Sequence, residues 1–399
     1  MQADSQASSE AYQVLSLHFT LEAAAVFAVS LLACVAILAT ERFHLRLTLR
    51  RNDTKAVQAA HRRHVPRIGG VALVVALWPI ALALPSETAP RFGLFALTVA
   101  PVFLAGLVED LGWPVRPRTR LLAAAVSSLL VVILLGLWLP RADVPGFDRL
   151  LDWAPFAILF TIFATAGVSN SFNLIDGMNG LAAGIGTLAA IAMAMIALRG
   201  DLPGLANINL MIVAALMGFL VFNFPHGRIF LGDAGAYSLG HILGWMAILL
   251  INRLPDLTPW ALMLVFFWPI ADTFFAIYRR RRSGRPAGLP DRLHFHQLVM
   301  RAIEIMLVGR GARHVANPMA TLLIMPMAAA PAATGVWLWD RPLASFWAVS
   351  FYAALFVAAY LFGLEVARRQ RRRNRLAAAR TPVWTSPVSN QKADQSRDA

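Results

Sequence analysis

Hydrophobic residues in this chain come in long unbroken runs parted by short polar breaks, not in the alternation of a half-buried strand. The runs occupy 21–40, 69–84, 93–108, 121–139, 154–169, 180–198, 204–223, 234–251, 259–278, 318–338 and 343–363. Most approach the roughly 20 residues that carry a helix across a ~30 Å hydrocarbon layer. Within such a layer every backbone N–H and C=O must be paired inside the protein, which leaves helices or a closed barrel. Continuous runs select helices. The pattern therefore predicts an all-α polytopic integral membrane protein of about eleven transmembrane helices, several short enough to need tilt or local thinning. Residues 1–20 form an N-terminal tail, 21–363 the membrane domain, and 364–399 a tail that is Arg-rich, then rich in Ser, Pro and Gln, and expected to be disordered.

Composition agrees: 58% of the 399 residues are hydrophobic and the mean hydropathy is +0.60. The single cysteine, Cys34, excludes an intrachain disulfide and reads as a small packing residue. No Lys or Arg precedes Arg42, so a cleaved signal peptide is not expected and the first run is a retained helix. Of the 36 Lys and Arg, all but Arg91, Arg141, Arg149, Arg199, Arg253 and Arg341 fall in segments on one side of the predicted layer. By the positive-inside rule this places the N-terminus outside, in the periplasm, and the C-terminus in the cytoplasm. The net charge of +14 then reflects topology and anionic headgroups. No nucleic-acid-binding signature is present.

Four polar clusters interrupt this pattern. The first, Glu109-Asp110, pairs two carboxylates at a helix exit, either functional or answering Arg116, Arg118 and Arg120. The second, NSFNLIDGMNGL at 170–181, puts Asn170, Asn173 and Asp176 on roughly one helical face and suits a hard cation, or is a polar loop. In the third, Asp233 lies between Gly232 and Gly235, as a metal or phosphate contact or as the N-cap of the next helix. The fourth, PDRLHFHQL at 290–298, brings Arg292, His294 and His296, which can hold phosphate oxygens or lie on anionic lipid. Elsewhere, Asp272 reads as pairing with Arg279 and Arg280 at the inner rim, and His241 as a packed, hydrogen-bonded histidine. Lys55, His61 and His64 read as solvated or headgroup-binding, and 298–307 as an amphipathic surface helix.

Charge counting used neither carboxylates nor histidines, yet all four clusters land on the cytoplasmic rim. Transporters gather such groups near the midplane. A rim is where a soluble anionic substrate meets a lipid headgroup, which implies phosphoryl transfer between a nucleotide-linked donor and a lipid phosphate. The alternative is a transporter or flippase of an anionic metabolite or lipid-linked sugar.

At the level of motifs the chain resembles the polyprenyl-phosphate N-acetylhexosamine-1-phosphate transferases from about residue 41 to 363. VPRIGG at 65–70, PRTRLL at 117–122, NSFNLIDGMNGLA, FLGDAGA, PIADT at 269–273 and PDRLHFHQL are similar to that family's motifs. The resemblance implies transfer of an N-acetylamino-sugar 1-phosphate from a UDP-sugar to undecaprenyl phosphate at the cytoplasmic face of a bacterial inner membrane, releasing UMP. It implies Mg²⁺, with Mn²⁺ as a substitute, held by Asn173 and Asp233. Asp110, Asp176 and Glu109 take the catalytic positions, with Asp110 handling the lipid phosphate as base or positioner. Arg120, Asn170, Arg292, His294 and His296 take substrate-binding positions. The sequence departs from the family at Glu109, which stands for an Asp, at Gln297 for a His and at Ala236 for a Ser. It looks most like the branch that initiates O-antigen and related envelope polysaccharides. Monomer and homodimer both remain open.

Overall fold

The computed structural model describes residues 2–43, 65–282, 293–309 and 311–380. Among these the chain is helical, without strands, and nine helices are long and apolar enough to cross a membrane. It divides into two compact units, 1–356 and 357–399.

The helices follow the predicted order. They are α1 (Gln2–Ala39), α2 (Gly70–Ala83), α3 (Ala89–Thr98), α4 (Ala100–Asp110), α5 (Pro117–Leu135), the short α6 (Asp148–Leu151), α7 (Ala154–Ile175) and α8 (Leu181–Arg199). Then come α9 (Pro203–Asn223), α10 (Gly232–Arg253), α11 (Pro259–Val265), α12 (Phe267–Arg282), α13 (Phe295–Ile303), α14 (Arg313–Trp337) and α15 (Pro342–Arg380). The α3 and α4 segments run on as one span. Proline opens many of these helices, where its missing N–H has no partner to lose.

Three elements differ from the hydropathy reading. The second span is a helix of only 14 residues. The ninth is broken: α11 and α12 meet at 83°. Pro269 has no N–H to give the Val265 carbonyl, which weakens the helix at this point and favours a bend. The tail expected to be disordered is helical through Arg380, its Ala- and Arg-rich sequence having high helix propensity. At the other end α1 reaches back to Gln2.

Helix α10 is the hub. It packs against α2, α4, α7 and α8 and is buried along nearly its whole length. A helix apolar on all sides and covered on all sides belongs to the core, not the lipid boundary. Close approach depends on bare backbone. A Cβ on Gly70 would lie 2.3 Å from the Gly235 backbone, which has no flexible end to yield. Gly70→Ala should therefore cost about 1–3 kcal/mol of stability; thermal unfolding in detergent measures this, and an unchanged transition would mean that the two helices are free to separate. Deeper in the bundle, His241 is fully buried, bonded to Thr98 at 3.3 Å and stacked on Phe95, as the sequence reading expected.

Candidate active site

Helix α10 begins where other segments end. Main-chain bonds join Gly69 N–H to Phe230 O at 2.9 Å and Phe230 N–H to Pro66 O at 3.0 Å, which brings Arg67 to the start of α10. Gly232 takes φ +71°, where a side chain is strained. A Cβ there would also strike the Arg67 carbonyl and the Asp110 carboxylate.

That bare residue lets Asp110 reach α10 from the C-terminal end of α4. Asp110 Oδ1 accepts the Asp233 N–H at 2.9 Å and Oδ2 accepts the Ala234 N–H at 2.8 Å. Helix α10 is thus capped by a carboxylate from another helix, with the charge that a helix N-terminus favours. Its own N-cap residue, Leu231, supplies no side-chain bond. Of the two readings of Asp233 the cap does not hold: Asp233 lies inside the first turn, and its side chain serves other partners.

Those partners come from three directions. Asn173 Nδ2 donates to Asp233 Oδ1 at 3.0 Å, Arg67 Nη2 lies 3.7 Å from the same oxygen, and Arg120 Nη1 pairs with Oδ2. Asn170 and Asn173 share the last turns of α7, and Asp176 is the C-cap residue that follows. Asn170 Oδ1 accepts the Tyr237 hydroxyl at 3.1 Å. Asp176 accepts the Gly232 N–H. It keeps partial solvent access, yet the protein packed round it pushes its carboxyl up to about 7, against the pull of the Arg67 charge and the Gly232 N–H.

The stretch 170–181 therefore splits. Its third asparagine, Asn179, belongs to the fold. Its N–H donates to Asn317 Oδ1, its Nδ2 to Pro225 O, and its carbonyl accepts from Thr321. These bonds set the turn after Asp176.

The histidine segment closes another side. His296 is buried and its Nε2 lies 3.6 Å from where a Cβ on Gly177 would stand, so it faces the Asp176–Gly177 turn. Burial lowers the His296 imidazole, with Asp272 pulling the other way. His294 Nδ1 lies 3.0 Å from Asp272 Oδ2. The assignment of Asp272 to Arg279 and Arg280 is corrected: its carboxylate is taken up by the histidine segment, which the sequence could not place beside it. Glu109 serves its own loop, where its carboxylate accepts the Val115 N–H. Arg292, and with it Lys55, His61 and His64, lies outside the described residues.

The structure thus brings Asp110, Asn173, Asp233 and Arg120 together, ties Asp176 to the same turn through the Gly232 N–H, sets Asn170 on Tyr237, and places His296, with His294 stacked on it, beside the Asp176–Gly177 turn. Two further residues, Arg67 and Asp272, contact this group and had no such role in the sequence reading. Arg67 sits in VPRIGG, and the two glycines that follow it were the available signal of close backbone approach. Asp272 was marked by its intramembrane charge and by its place in PIADT at 269–273.

The site is an oxygen-rich centre ringed by guanidinium and imidazole groups at the ends of membrane helices, the arrangement of an enzyme handling phosphates rather than of a closed metal cage. Glycosyl transferase family 4 matches residues 92–251. The chain is 30% identical over 288 residues to the decaprenyl-phosphate N-acetylglucosaminephosphotransferase of Mycobacterium tuberculosis, covering 64% of this chain and 69% of that protein. It is 27% identical over 249 residues to the "probable undecaprenyl-phosphate N-acetylglucosaminyl 1-phosphate transferase" of Bacillus subtilis, covering 62% and 69%. It is 23% identical over 255 residues to the undecaprenyl-phosphate alpha-N-acetylglucosaminyl 1-phosphate transferase of Yersinia pestis, covering 63% and 69%. The chain belongs to this family of polyprenyl-phosphate N-acetylglucosamine-1-phosphate transferases.

Proposed function

We propose that the protein transfers an N-acetylamino-sugar 1-phosphate from a UDP-sugar to undecaprenyl phosphate at the cytoplasmic face of a bacterial inner membrane. The products are undecaprenyl-diphosphate-sugar and UMP, and the product initiates an envelope polysaccharide such as O-antigen. One observation carries this reading: Asn173 and Asp233, from different helices, meet at 3.0 Å beside Arg120 and Arg67.

The donor set suits Mg²⁺. One amide oxygen and one carboxylate are hard ligands, and Mg²⁺ usually binds through one or two carboxylates, waters and substrate phosphates. Asn173 and Asp233 would hold the ion, which when bound supplies charge neutralisation on the donor diphosphate. A second observation favours an anion here. Arg120 Nε is buried and has no hydrogen-bond partner among the described residues, a donor that a phosphate oxygen would satisfy.

Phosphoryl transfer asks for positioning and charge more than for covalent chemistry by the protein. An oxygen of the lipid phosphate attacks the phosphorus that carries the sugar. The bond from that phosphorus to the bridging oxygen breaks, and UMP leaves with the electron pair. The attacking phosphate is largely ionised at neutral pH, so no proton need be taken from it. Arg120 and Arg67 offset the charge that builds on the phosphates, and the histidines meet the donor side. The two N–H bonds on Asp110 favour its role as positioner, holding the turn that carries Asp233.

Membranes holding the protein, supplied with lipid phosphate, Mg²⁺ and UDP-N-acetylglucosamine, should release UMP. Uptake into vesicles without UMP release would instead favour the transporter. A panel of UDP-amino sugars then identifies the sugar.

A further inference from the structure

Asp272 is a carboxylate for which the reaction above has no task. It stands in the second turn of α12, beyond the break from α11, and is 1% exposed. A buried charge is kept only where its partners repay the lost hydration. Among the described residues its partners come from one tripeptide, His294-Phe295-His296. His294 Nδ1 lies 3.0 Å from Oδ2, the Phe295 N–H donates to Oδ1 at 3.1 Å, and His296 Nδ1 lies 3.6 Å from Oδ2.

The tripeptide is sorted by side chain. The two imidazole rings lie stacked, 5.6 Å apart and 18° from parallel. Phe295, between them in sequence, instead packs edge-on to Trp268 at 5.0 Å and against Phe356 at 4.9 Å. The aromatic contacts anchor the main chain, and the carboxylate takes the His294 ring, with His296 packed beside it. An ionised carboxylate can only accept, so the His294 Nδ1 carries the proton and Nε2 is the ring atom available to a ligand. His296 Nε2 meanwhile faces the Asp176–Gly177 turn.

We propose that Asp272 is a positioning residue for the donor: it sets the tautomer and aim of His294 toward the diphosphate. The helix break is part of the device, because it turns α12 so that Asp272 meets the start of α13. This proposal rests on the UDP-sugar reading of the site.

The test is a cycle of four full-length proteins: wild type, Asp272→Asn, His294→Ala and the double variant. Asp272→Asn preserves shape and an acceptor for the Phe295 N–H, but turns an amide donor toward His294. UDP-N-acetylglucosamine binding is followed by calorimetry on the solubilised protein with Mg²⁺, alongside the KM values for donor and lipid phosphate. Asp272→Asn should weaken donor binding about tenfold or more, the scale of one charge-assisted hydrogen bond. The KM for lipid phosphate should stay put, and the unfolding temperature should change little, because the His294 ring, unlike a backbone N–H, can move its proton to Nε2 and accept from the new amide at Nδ1. The double variant should be no worse than His294→Ala alone, since the two residues act as one unit. Unchanged donor binding in Asp272→Asn overturns the proposal. So do losses that multiply in the double variant, or a rise in both KM values with a drop in unfolding temperature, which marks a structural tie only. Should Asp272→Asn fail to accumulate, Asp272→Glu takes its place under the same criteria. A wild type that neither binds nor turns over the donor removes the functional reading itself, whereas variants that match an active wild type remove only the role of Asp272.

Discussion

Asp233→Asn is expected to reduce UMP release by about 10²- to 10³-fold or more, the scale on which removal of one group stabilising transition-state charge is felt. The residue concentrates four contacts. Asn173, Arg67 and Arg120 converge on its carboxylate, and its own N–H is held by Asp110. The amide keeps the size of the side chain and loses its charge, so packing at the start of α10 should survive. Two consequences separate from one another. The hard anionic ligand that Mg²⁺ would need is gone, and Arg120 is left facing an amide nitrogen or a neutral oxygen. Activity in membranes, set against protein level by immunoblot, measures the first. An unfolding temperature near that of wild type checks that the loss is chemical. Full activity in this variant would remove Asp233 from the ion site and the functional reading with it.

Asp110→Asn should cost more than Glu109→Gln, although the two carboxylates are adjacent in sequence. Both oxygens of Asp110 accept backbone N–H groups of α10. Asparagine has a single oxygen, so its NH₂ must point at one of those donors. Leaving a buried donor unsatisfied costs roughly 1–3 kcal/mol, and here it also loosens the turn that aims Asp233. The variant should therefore lose both stability and turnover. Glu109 accepts from Val115 in its own loop, partly exposed, and a glutamine retains an oxygen for that N–H. Paired measurements of turnover and unfolding temperature decide this. Equal effects in the two variants would mean that the helix-capping contact does not carry the difference.

Much of the architecture was legible because membrane helices announce themselves by local composition. Each of the eleven apolar runs corresponds to helical structure, from α1 to α15. Ambiguity began where local pattern and tertiary burial diverge. Apolar runs look alike whether lipid or protein covers them, so nothing in 234–251 marked α10 as the hub. The break between α11 and α12 was signalled by Pro269, but hydropathy is blind to direction and ran the two together.

The candidate site divides along the same line. Short motifs that combine Gly with Asn or Asp were visible, since such residues are costly beside long apolar runs unless something needs them. Their partners were not. Position left Asp233 either a metal or phosphate contact or a cap, while the cap came from Asp110, 123 residues earlier. Asp272 read as answering nearby arginines, while its partners lie 22 and 23 residues later. Asn179 shared a motif with Asn173 yet turned to Asn317 and Pro225.

By itself the amino-acid order determined the helical class, the number of apolar segments, the asymmetry of positive charge and the inventory of reactive side chains, because each of these depends on neighbours a few residues apart. Which helix is central, which carboxylate caps and which one meets metal ligands and arginines were decided only by the folded chain. Such pairings bridge 124 residues of sequence and more, and the distances and shared backbone donors that set them do not exist until the helices have packed.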